Sequence, residues 1–327
     1  MPPRSPLPPR HGLQAAWVRT PHTGTAPEHE LTMGAWLRHR LPPRSVEPSA
    51  RHALAAAVPG LAEGERPSVD VDRFLASQRF VWGDGSPVLA DEAYRPHNFV
   101  WFHRDLRDEP VVPGELIVLH EDERIVVVDK PAFLSTIPRG SHVVQSVVVR
   151  GREEFGLPDL APAHRLDRVT SGVLLLTKAR RWRRAYQGIF ETGVARKTYR
   201  ALAAYDPGFA GPVVIRNHIR KPAGQWQAEV VPDAPVNAET LVELEARVGA
   251  DRAVYRLSPR TGRTHQLRLH LNGLGLPIVG DPLYPQVTVT DVDDFSTPLQ
   301  LLASELEFVD PIDGRARQFR SGRAVPL

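Results

Sequence analysis

Three segments of the sequence bring together residue types that could carry out chemistry. In the first, HRLDRVTSG at positions 164–172, Asp167 lies between two arginines and directly before an apolar run. Neighbouring cations favour the ionised form of an aspartate, and an oriented carboxylate can serve as a nucleophile or a base. The alternative interpretation is an ion pair that only stabilises a turn.

The second segment, PRTGRTHQLRLH at positions 259–270, places a glycine turn before a predicted helix. Helix starts attract anions through their free N–H groups and dipole, and three arginines, two histidines and a glutamine crowd this one. His265 and His270 lie five positions apart, about 140° around a helix, which disfavours a shared metal ion. The segment therefore predicts an anion site or a path for a phosphate backbone, with a solvated helix face as the alternative.

The third segment, RKTYR at positions 196–200, is a charged edge that leads into a predicted strand. Tyr199 fits two roles there. It can be a half-buried strand aromatic, or its ring can stack on an unpaired base, an interaction worth about 1–3 kcal/mol. The segment alone does not decide between these roles.

Several classes of protein lack their usual marker in this sequence. There is no phosphate loop GxxxxGK[ST], no dinucleotide turn GxGxxG, no zinc motif HExxH and no nucleophile elbow GxSxG. There is no cysteine, so disulfides and cysteine-bound zinc are excluded. We therefore expect neither a metal ion nor a cofactor.

The composition allows nucleic-acid binding without requiring it. Hydrophobic residues make up 42% and charged residues 24% of the 327 positions, which is ordinary for a globular protein. Only four of the 41 basic residues are lysines, and the formal charge is +3. An arginine bias follows from a GC-rich genome, or from the two-pronged grip of the guanidinium on phosphate. No unbroken apolar run reaches the roughly 18 residues of a membrane span.

Strands predominate among the elements that must position these segments. Apolar runs predict strands in ERIVVVDKP at 123–131, SGVLLLTK at 171–178, KTYRALAAY at 197–205 and RAVYRLSP at 252–259. An Asp-Gly turn predicts a hairpin in 79–94. Helical patterns cover 31–41 (Trp36 and Leu37 inward), the alanine-rich 50–58, 179–191, and a segment from position 264 to Gly273 or Gly275. Strand-rich order without regular βαβ alternation predicts an α+β fold around a mixed, largely antiparallel sheet.

Taken in their order along the chain, the three segments resemble the motifs of one family, the RluA-like pseudouridine synthases, which modify ribosomal and transfer RNA. HRLDRVTSGVLLLTK is similar to the family's aspartate motif, RKTYRALA to its Lys-x-Tyr strand, and TGRTHQLRLHLNGLGLPIVGDPLY to its arginine motif. IVVVDKPAFLS resembles the opening strand with its Lys-Pro pair, Lys130 and Pro131. The resemblance covers about residues 110–320. Four motifs in register make a chance match improbable.

The resemblance implies a reaction and the residues that perform it. The family breaks the bond between uracil and ribose, rotates the base and rejoins it through C5. By the same resemblance Asp167 is catalytic, Tyr199 stacks on the uracil and assists proton removal from C5, and Arg263 pairs with Asp167. The target uridine is flipped out, and Arg165 fills the vacated space. The residues expected to bind RNA are His164, Arg165, Arg168, Lys197, His265, Gln266 and Arg268.

The resemblance also implies an organisation for the chain. We expect a pseudouridine synthase fold, with flanking helices and a central RNA-binding cleft, at 111–327 and an N-terminal extension at 1–110. The segment GDGSPVLADEAYRPHNFVWFHRDLRDEPVVPGE resembles the extension of a subgroup without the small appended RNA-binding domain. We expect this extension to pack on the catalytic domain and add RNA contacts. The expected partner is structured ribosomal or transfer RNA, and the expected protein is monomeric and cytoplasmic.

Two other functions remain alternatives. A non-catalytic RNA-binding protein or RNA chaperone on the same fold would tolerate loss of Asp167, yet Asp167, Tyr199 and Arg263 are all present. A nucleosidase or glycosidase generally needs a second catalytic carboxylate, and no paired acid accompanies Asp167 in its motif. Both comparisons favour the synthase.

Overall fold

The computed structural model describes residues 2–22, 32–41, 69–140, 142–209, 211–288 and 290–326. Contacts group the chain into two compact units, which separate between Glu109 and Pro110. The alanine-rich helix predicted at 50–58 lies outside the described residues. No helix in the part of the chain that the structure describes is long and apolar enough to cross a membrane.

The N-terminal unit contains two short helices and a two-stranded sheet. Its elements are β1 (Ala16–Arg19), α1 (Met33–Arg40), α2 (Val71–Ala76) and β2 (Phe99–Phe102). Thr32 and Asp70 begin the two helices, because each side chain accepts a hydrogen bond from the backbone N–H three residues later. Trp36 and Leu37 are buried, as predicted from the helical pattern.

The predicted hairpin around Gly85 is only partly formed. The turn itself is present, since the Trp82 N–H donates to the Ser86 carbonyl. Its flanking residues, however, pair only at an isolated bridge between Val81 and Pro87. On its other side Val81 pairs with Trp101, and each N–H donates to the other residue's carbonyl. The predicted hairpin is therefore present as its turn and one antiparallel bridge.

The larger unit is built on one ten-stranded sheet. Its strands are β3 (Ile117–Glu121), β4 (Ile125–Lys130), β5 (Ala161–Pro162), β6 (Ser171–Thr177), β7 (Arg196–Ala204), β8 (Val213–Asn217), β11 (Ala238–Val248), β12 (Arg252–Pro259), β13 (Leu301–Val309) and β14 (Ala316–Arg320). A separate hairpin joins β9 (Ile219–Arg220) and β10 (Glu229–Val230). The helices are α3 (Val147–Glu154), α4 (Arg180–Glu191) and α5 (Gln266–Gly273).

The strand order of the large sheet is β3-β4-β6-β13-β7-β12-β11-β8, with β5 on β6 and β14 on β13. Among the described strands, β6 and β13 form the one parallel pair, and every other pair is antiparallel. The predicted α+β class with a mixed, largely antiparallel sheet is confirmed.

The two apolar runs of the sequence form strands that are buried on both faces. Every residue of β4 and β6 is buried. Successive strand side chains point to opposite faces, so Val126 and Leu174 join one core while Val127 and Val173 join another. Helix α4 belongs to the second core. The continuous apolar pattern therefore reports a sheet covered on both sides.

At the start of β6, directly after the loop that carries Asp167, the backbone of Gly172 lies very close to the backbone of β13. Gly172 lies opposite Ala303 in the parallel pairing with β13. Its φ is +109°, and a Cβ atom added there would collide with the Ala303 carbonyl. Both the backbone conformation and the available space therefore require glycine at this position.

We expect Gly172→Ala to lower the free energy of unfolding by roughly 2–4 kcal/mol, because overpacking and an unfavourable φ act together. Urea denaturation measures this difference. Gly188→Ala, in α4, is the matched control, since nothing lies within 4 Å of its added Cβ. It should be neutral or stabilising by up to about 1 kcal/mol. Equal stability of the two variants would contradict the close approach of the Gly172 and Ala303 backbones.

Candidate active site

The three segments singled out in the sequence meet at one open pocket with a cavity volume of about 110 Å³. The lining residues are Arg165, Leu166, Asp167, Thr170, Lys197, Tyr199, Pro259, Thr261, Gly262, Arg263, His265, Gln266, Leu267, Arg268 and Leu301. The loop before β6, the strand β7 and the start of α5 thus supply one site from distant parts of the sequence.

Buried side chains outside the loop that carries Asp167 form hydrogen bonds with the loop's backbone. The Thr136 hydroxyl donates to the Leu166 carbonyl at 2.7 Å and accepts from the Leu166 N–H at 3.1 Å. The Lys130 ammonium donates to the Arg168 carbonyl at 3.1 Å. These contacts fix the backbone on both sides of Asp167, whose side chain is 34% exposed.

Lys130 is fully buried at the end of β4. Besides Arg168, its ammonium donates to the carbonyls of Pro131 and Leu134, at 3.0 and 2.7 Å. Burial lowers the pKa of Lys130 well below its usual value, while the nearby Asp167 charge opposes that shift. The sequence identified Lys130 only as part of a Lys-Pro pair, and the structure shows that it ties β4 to the aspartate loop.

A buried chain of charges leads to Asp167. Nε and Nη2 of Arg268 donate to the two carboxylate oxygens of Asp281, at 2.8 and 2.5 Å. Nη1 of Arg268 reaches Asp167 Oδ2 at 3.4 Å. Burial opposes the charge of Arg268, but the bonds to Asp281 outweigh it and raise the pKa of the guanidinium. Asp281 also accepts the N–H groups of Leu283 and Tyr284, at 2.8 and 3.2 Å.

The structure changes the expected partner of Asp167. Arg263 was expected to pair with it, but the ion pair of Asp167 is with Arg268. Arg263 is exposed in the turn before α5, and its Nε donates to the Asn237 carbonyl at 3.1 Å. Arg268 lies in the first turn of α5 on its buried side, which points the side chain inward. Helix geometry therefore brings Arg268, not Arg263, to the carboxylate.

Gln266 and Arg268 were both expected to contact RNA, yet both are buried, with exposures of 4% and 2%. The Gln266 amide oxygen accepts from the Thr261 hydroxyl and the Arg263 N–H. Its amide nitrogen donates to the Glu239 carbonyl and the Thr240 hydroxyl. Because these contacts occupy the whole amide, Gln266 braces the turn before α5 and does not present donors to a ligand.

His265 precedes α5 in the left-handed conformation, with φ +58°. Its Nδ1 lies 3.0 Å from the Tyr284 hydroxyl, which also donates to the Ala228 carbonyl at 3.1 Å. Burial lowers the pKa of His265 to about 4. The imidazole is therefore neutral near pH 7 and connects the pocket to the β9–β10 hairpin through Tyr284.

Tyr199 and Lys197 approach the pocket from β7. Burial, with the charge of Asp167, raises the pKa of the Tyr199 phenol well above its ordinary value. The phenol thus remains protonated at physiological pH. Lys197 donates to the Thr261 carbonyl at 3.1 Å, and burial lowers the pKa of its ammonium.

Of the remaining residues expected to bind RNA, Arg165 is exposed at the pocket and Arg168 is half-buried. The Arg168 guanidinium lies 5.5 Å from the centre of the Phe133 ring. Among the described residues, no group of three histidine, aspartate or glutamate side chains is placed to hold a metal ion.

His164, also expected to bind RNA, makes internal contacts. Its Nε2 accepts the Leu175 N–H at 3.1 Å, and its ring stacks on Phe190 with centroids 4.2 Å apart. Burial lowers the pKa of His164 to about 3. A proton on Nε2 would also remove the acceptor for Leu175.

This depressed pKa predicts a loss of stability in acid. An unfolded histidine binds a proton below pH 6.5 whereas folded His164 does not, so its contribution is complete above pH 6.5 and falls as the pH drops towards 3. Between pH 7.5 and 5.5 we expect wild type to lose about 1.4 kcal/mol more than His164→Gln. Urea denaturation at both pH values measures it. Parallel losses in the two proteins would contradict a neutral buried His164.

Comparison with known proteins agrees with this geometry. Residues 124–273 match the family model described as RNA pseudouridylate synthase. The chain is 32% identical over 211 residues to the dual-specificity RNA pseudouridine synthase RluA of Vibrio parahaemolyticus, covering 59% of this chain and 78% of the relative. It is 31% identical over 210 residues to RluA of Yersinia pestis, covering 63% and 98%. The structure of human RNA pseudouridylate synthase domain containing 1 shares the fold, with a TM-score of 0.52, 23% identity, and coverage of 64% and 86%.

The chain is thus an RNA pseudouridine synthase, an isomerase that acts on RNA. Within that class it belongs to the RluA-like family. The predicted family, fold class and reaction are confirmed, and the alternative of a non-catalytic RNA-binding protein is not supported.

Proposed function

We propose that Asp167 is the catalytic carboxylate of this synthase. One observation supports this assignment most strongly: Asp167 is the one carboxylate among the residues that line the described pocket, and its side chain is 34% exposed there. Its loop is held on both sides, so the carboxylate is oriented before a substrate arrives.

The reaction exchanges one bond for another without a change in composition. The bond between C1′ and N1 breaks, the uracil rotates, and a bond forms between C1′ and C5. C5 then loses its hydrogen as a proton, and N1 gains one. Asp167 acts at the sugar, either by attack on C1′ or by removal of a neighbouring proton.

The other pocket residues support this chemistry in different ways. Arg268, held by Asp281, pairs with Asp167 and orients its carboxylate. Tyr199 stacks on the uracil, and its raised pKa favours a neutral ring that contributes through stacking and its O–H group. Exposed Arg263 contacts the RNA backbone at the rim, as an arginine outside the buried charge chain can do.

The substrate is a uridine in structured RNA, ribosomal or transfer, that is turned out of its stack to reach the pocket. Flipping costs a few kcal/mol and least in loops or bulges. Exposed Arg165 is placed at the pocket to occupy the vacated space. Several relatives are named dual-specificity synthases, which agrees with more than one RNA target. We further propose that residues 1–110 add RNA contacts to the catalytic domain 111–327, and that the protein is a cytoplasmic monomer.

Pseudouridine mapping of all cellular RNA, with and without the gene, tests this function. We expect one or a few pseudouridines in ribosomal or transfer RNA to disappear on deletion. They should return with the wild-type gene and not with Asp167→Asn. Unchanged maps, or complementation by Asp167→Asn, would contradict the proposal.

A further inference from the structure

The two-stranded sheet of the N-terminal unit carries a row of ring side chains on one face. Trp17 lies opposite Trp101, and Arg19 lies opposite Phe99. Since strand side chains alternate between faces, Val18 and Val100 point the other way, into the core of the unit. The opposite face is therefore available for rings and for arginine.

Two close contacts occur on this face, and a third lies beside it. Trp17 meets Phe99 edge to face, with centroids 5.3 Å apart, and the Arg19 guanidinium lies 6.0 Å from the Phe99 ring centre. Just beyond the strands, the rings of His22 and His97 stack with centroids 5.0 Å apart and 15° between their planes. We call these five residues the ring row.

Most of the ring row is exposed. Trp17 is 44% exposed, unusual for the largest side chain in a protein, and only Phe99 is half-buried. The neighbouring Trp101 is buried in an apolar cluster with Ala15 and Val81, and Phe99 of the ring row packs against this cluster. An exposed tryptophan at the end of such a cluster marks a place where a ligand can add a further layer.

The charge around the ring row favours an anionic ligand. Residues 2–22, which include β1, contain three arginines and no aspartate or glutamate. Planar rings beside arginine, on an exposed sheet face, are the features that bind single-stranded nucleic acid, because bases stack on the rings while cations meet the phosphates. An apolar protein partner would not match the arginine and the two histidines.

We propose that the ring row binds unpaired bases of the RNA substrate, outside the segment that enters the catalytic pocket. This rests on the proposed function, since it gives the RNA contacts of residues 1–110 a specific location. Trp17 is the main stacking surface, and Arg19 holds the adjacent phosphate. Because every base has a flat face, this contact selects unpaired RNA more than a particular sequence.

Binding of the full-length protein to a fluorescent single-stranded oligouridylate of about 12 nucleotides tests the proposal. We expect Trp17→Ala to weaken binding between about 5- and 150-fold, the range that loss of one stacked base contact produces. Trp17→Phe should recover most of the affinity. Leu89→Ala, at a 48% exposed apolar residue of the same unit, is the matched control and should bind as wild type does.

Two further measurements separate the explanations. A duplex of the same length should bind Trp17→Ala and wild type equally, and 4-thiouridine in the single strand should crosslink to the peptide that contains Trp17. Unchanged single-strand affinity for Trp17→Ala, or a change in oligomeric state on sedimentation, would overturn the proposal. Asp167→Asn should bind the oligouridylate as wild type does. The effect of Trp17→Ala on binding therefore tests the ring row whether or not Asp167 is the catalytic residue.

Discussion

Asp167→Asn is expected to reduce pseudouridine formation by more than about 1,000-fold, the scale that loss of a central catalytic group commonly reaches. The variant keeps the size of the side chain but removes the charge that acts at the sugar in the proposed mechanism. Affinity for RNA should stay within about threefold of wild type, because phosphate contacts elsewhere supply most of the binding. Release of tritium from RNA labelled at C5 of uridine measures the reaction.

Asp233→Asn is the matched control for this variant. Asp233 is exposed and has φ +57°, a conformation that asparagine also adopts readily. It should retain wild-type activity and affinity. Turnover by Asp167→Asn above a few per cent of wild type would remove Asp167 from the centre of the site.

Arg268→Lys is expected to lower the single-turnover rate at saturating enzyme by about 100-fold, since small misplacements of a catalytic group cost on this scale. Lysine keeps a positive charge beside the buried Asp281, so the carboxylate is not left without a counterion. It lacks the planar fork that now spans Asp281 and Asp167. Saturating enzyme ensures that weak binding does not limit the rate.

Arg263→Lys provides the comparison, because Arg263 lines the same pocket without pairing with Asp167. We expect a near-normal rate at saturation and weaker RNA binding that remains salt-sensitive. The reverse result, a slow Arg263→Lys and a normal Arg268→Lys, would restore Arg263 as the partner of the carboxylate. Thermal unfolding of both variants shows whether either measurement reflects loss of the fold.

Four strands of the large sheet, β4, β6, β7 and β12, were predictable because they depend on local patterns. The runs IVVVDK and SGVLLLT form β4 and β6, with bounds close to those predicted. Their alternate apolar residues contribute to the two cores on opposite faces of the sheet. The hairpin near Gly85 was less predictable. Its turn depends on two residues, whereas the extent of pairing depends on neighbours from other elements, such as Trp101, which pairs with Val81.

The gathering of the site was also predictable in outline, since Asp167, Tyr199 and Arg263 do line one pocket. The arginine that forms the ion pair with Asp167 was not predictable, because it depends on the direction in which the first turn of α5 faces. One sequence feature could have indicated it: Arg268 stands among apolar residues of a buried helix face. A buried arginine needs a carboxylate, and Asp281 follows at the end of the same motif. Asp281 and Tyr284 both lie within that motif, but the sequence alone indicated no role for either.

The parallel pairing of β6 with β13 has a consequence for how the enzyme matures. The Ser171 hydroxyl, just after the aspartate loop, bonds the carbonyl of Leu301, a pocket residue 130 positions later. Contacts between such distant parts of a chain form slowly, because a long loop must close before any contact rewards it. Since synthesis proceeds from the N-terminus, the ring row of the N-terminal unit exists on the ribosome well before the pocket can close. The residues proposed to hold RNA are therefore made first, and the pocket is complete only when β13 has been added.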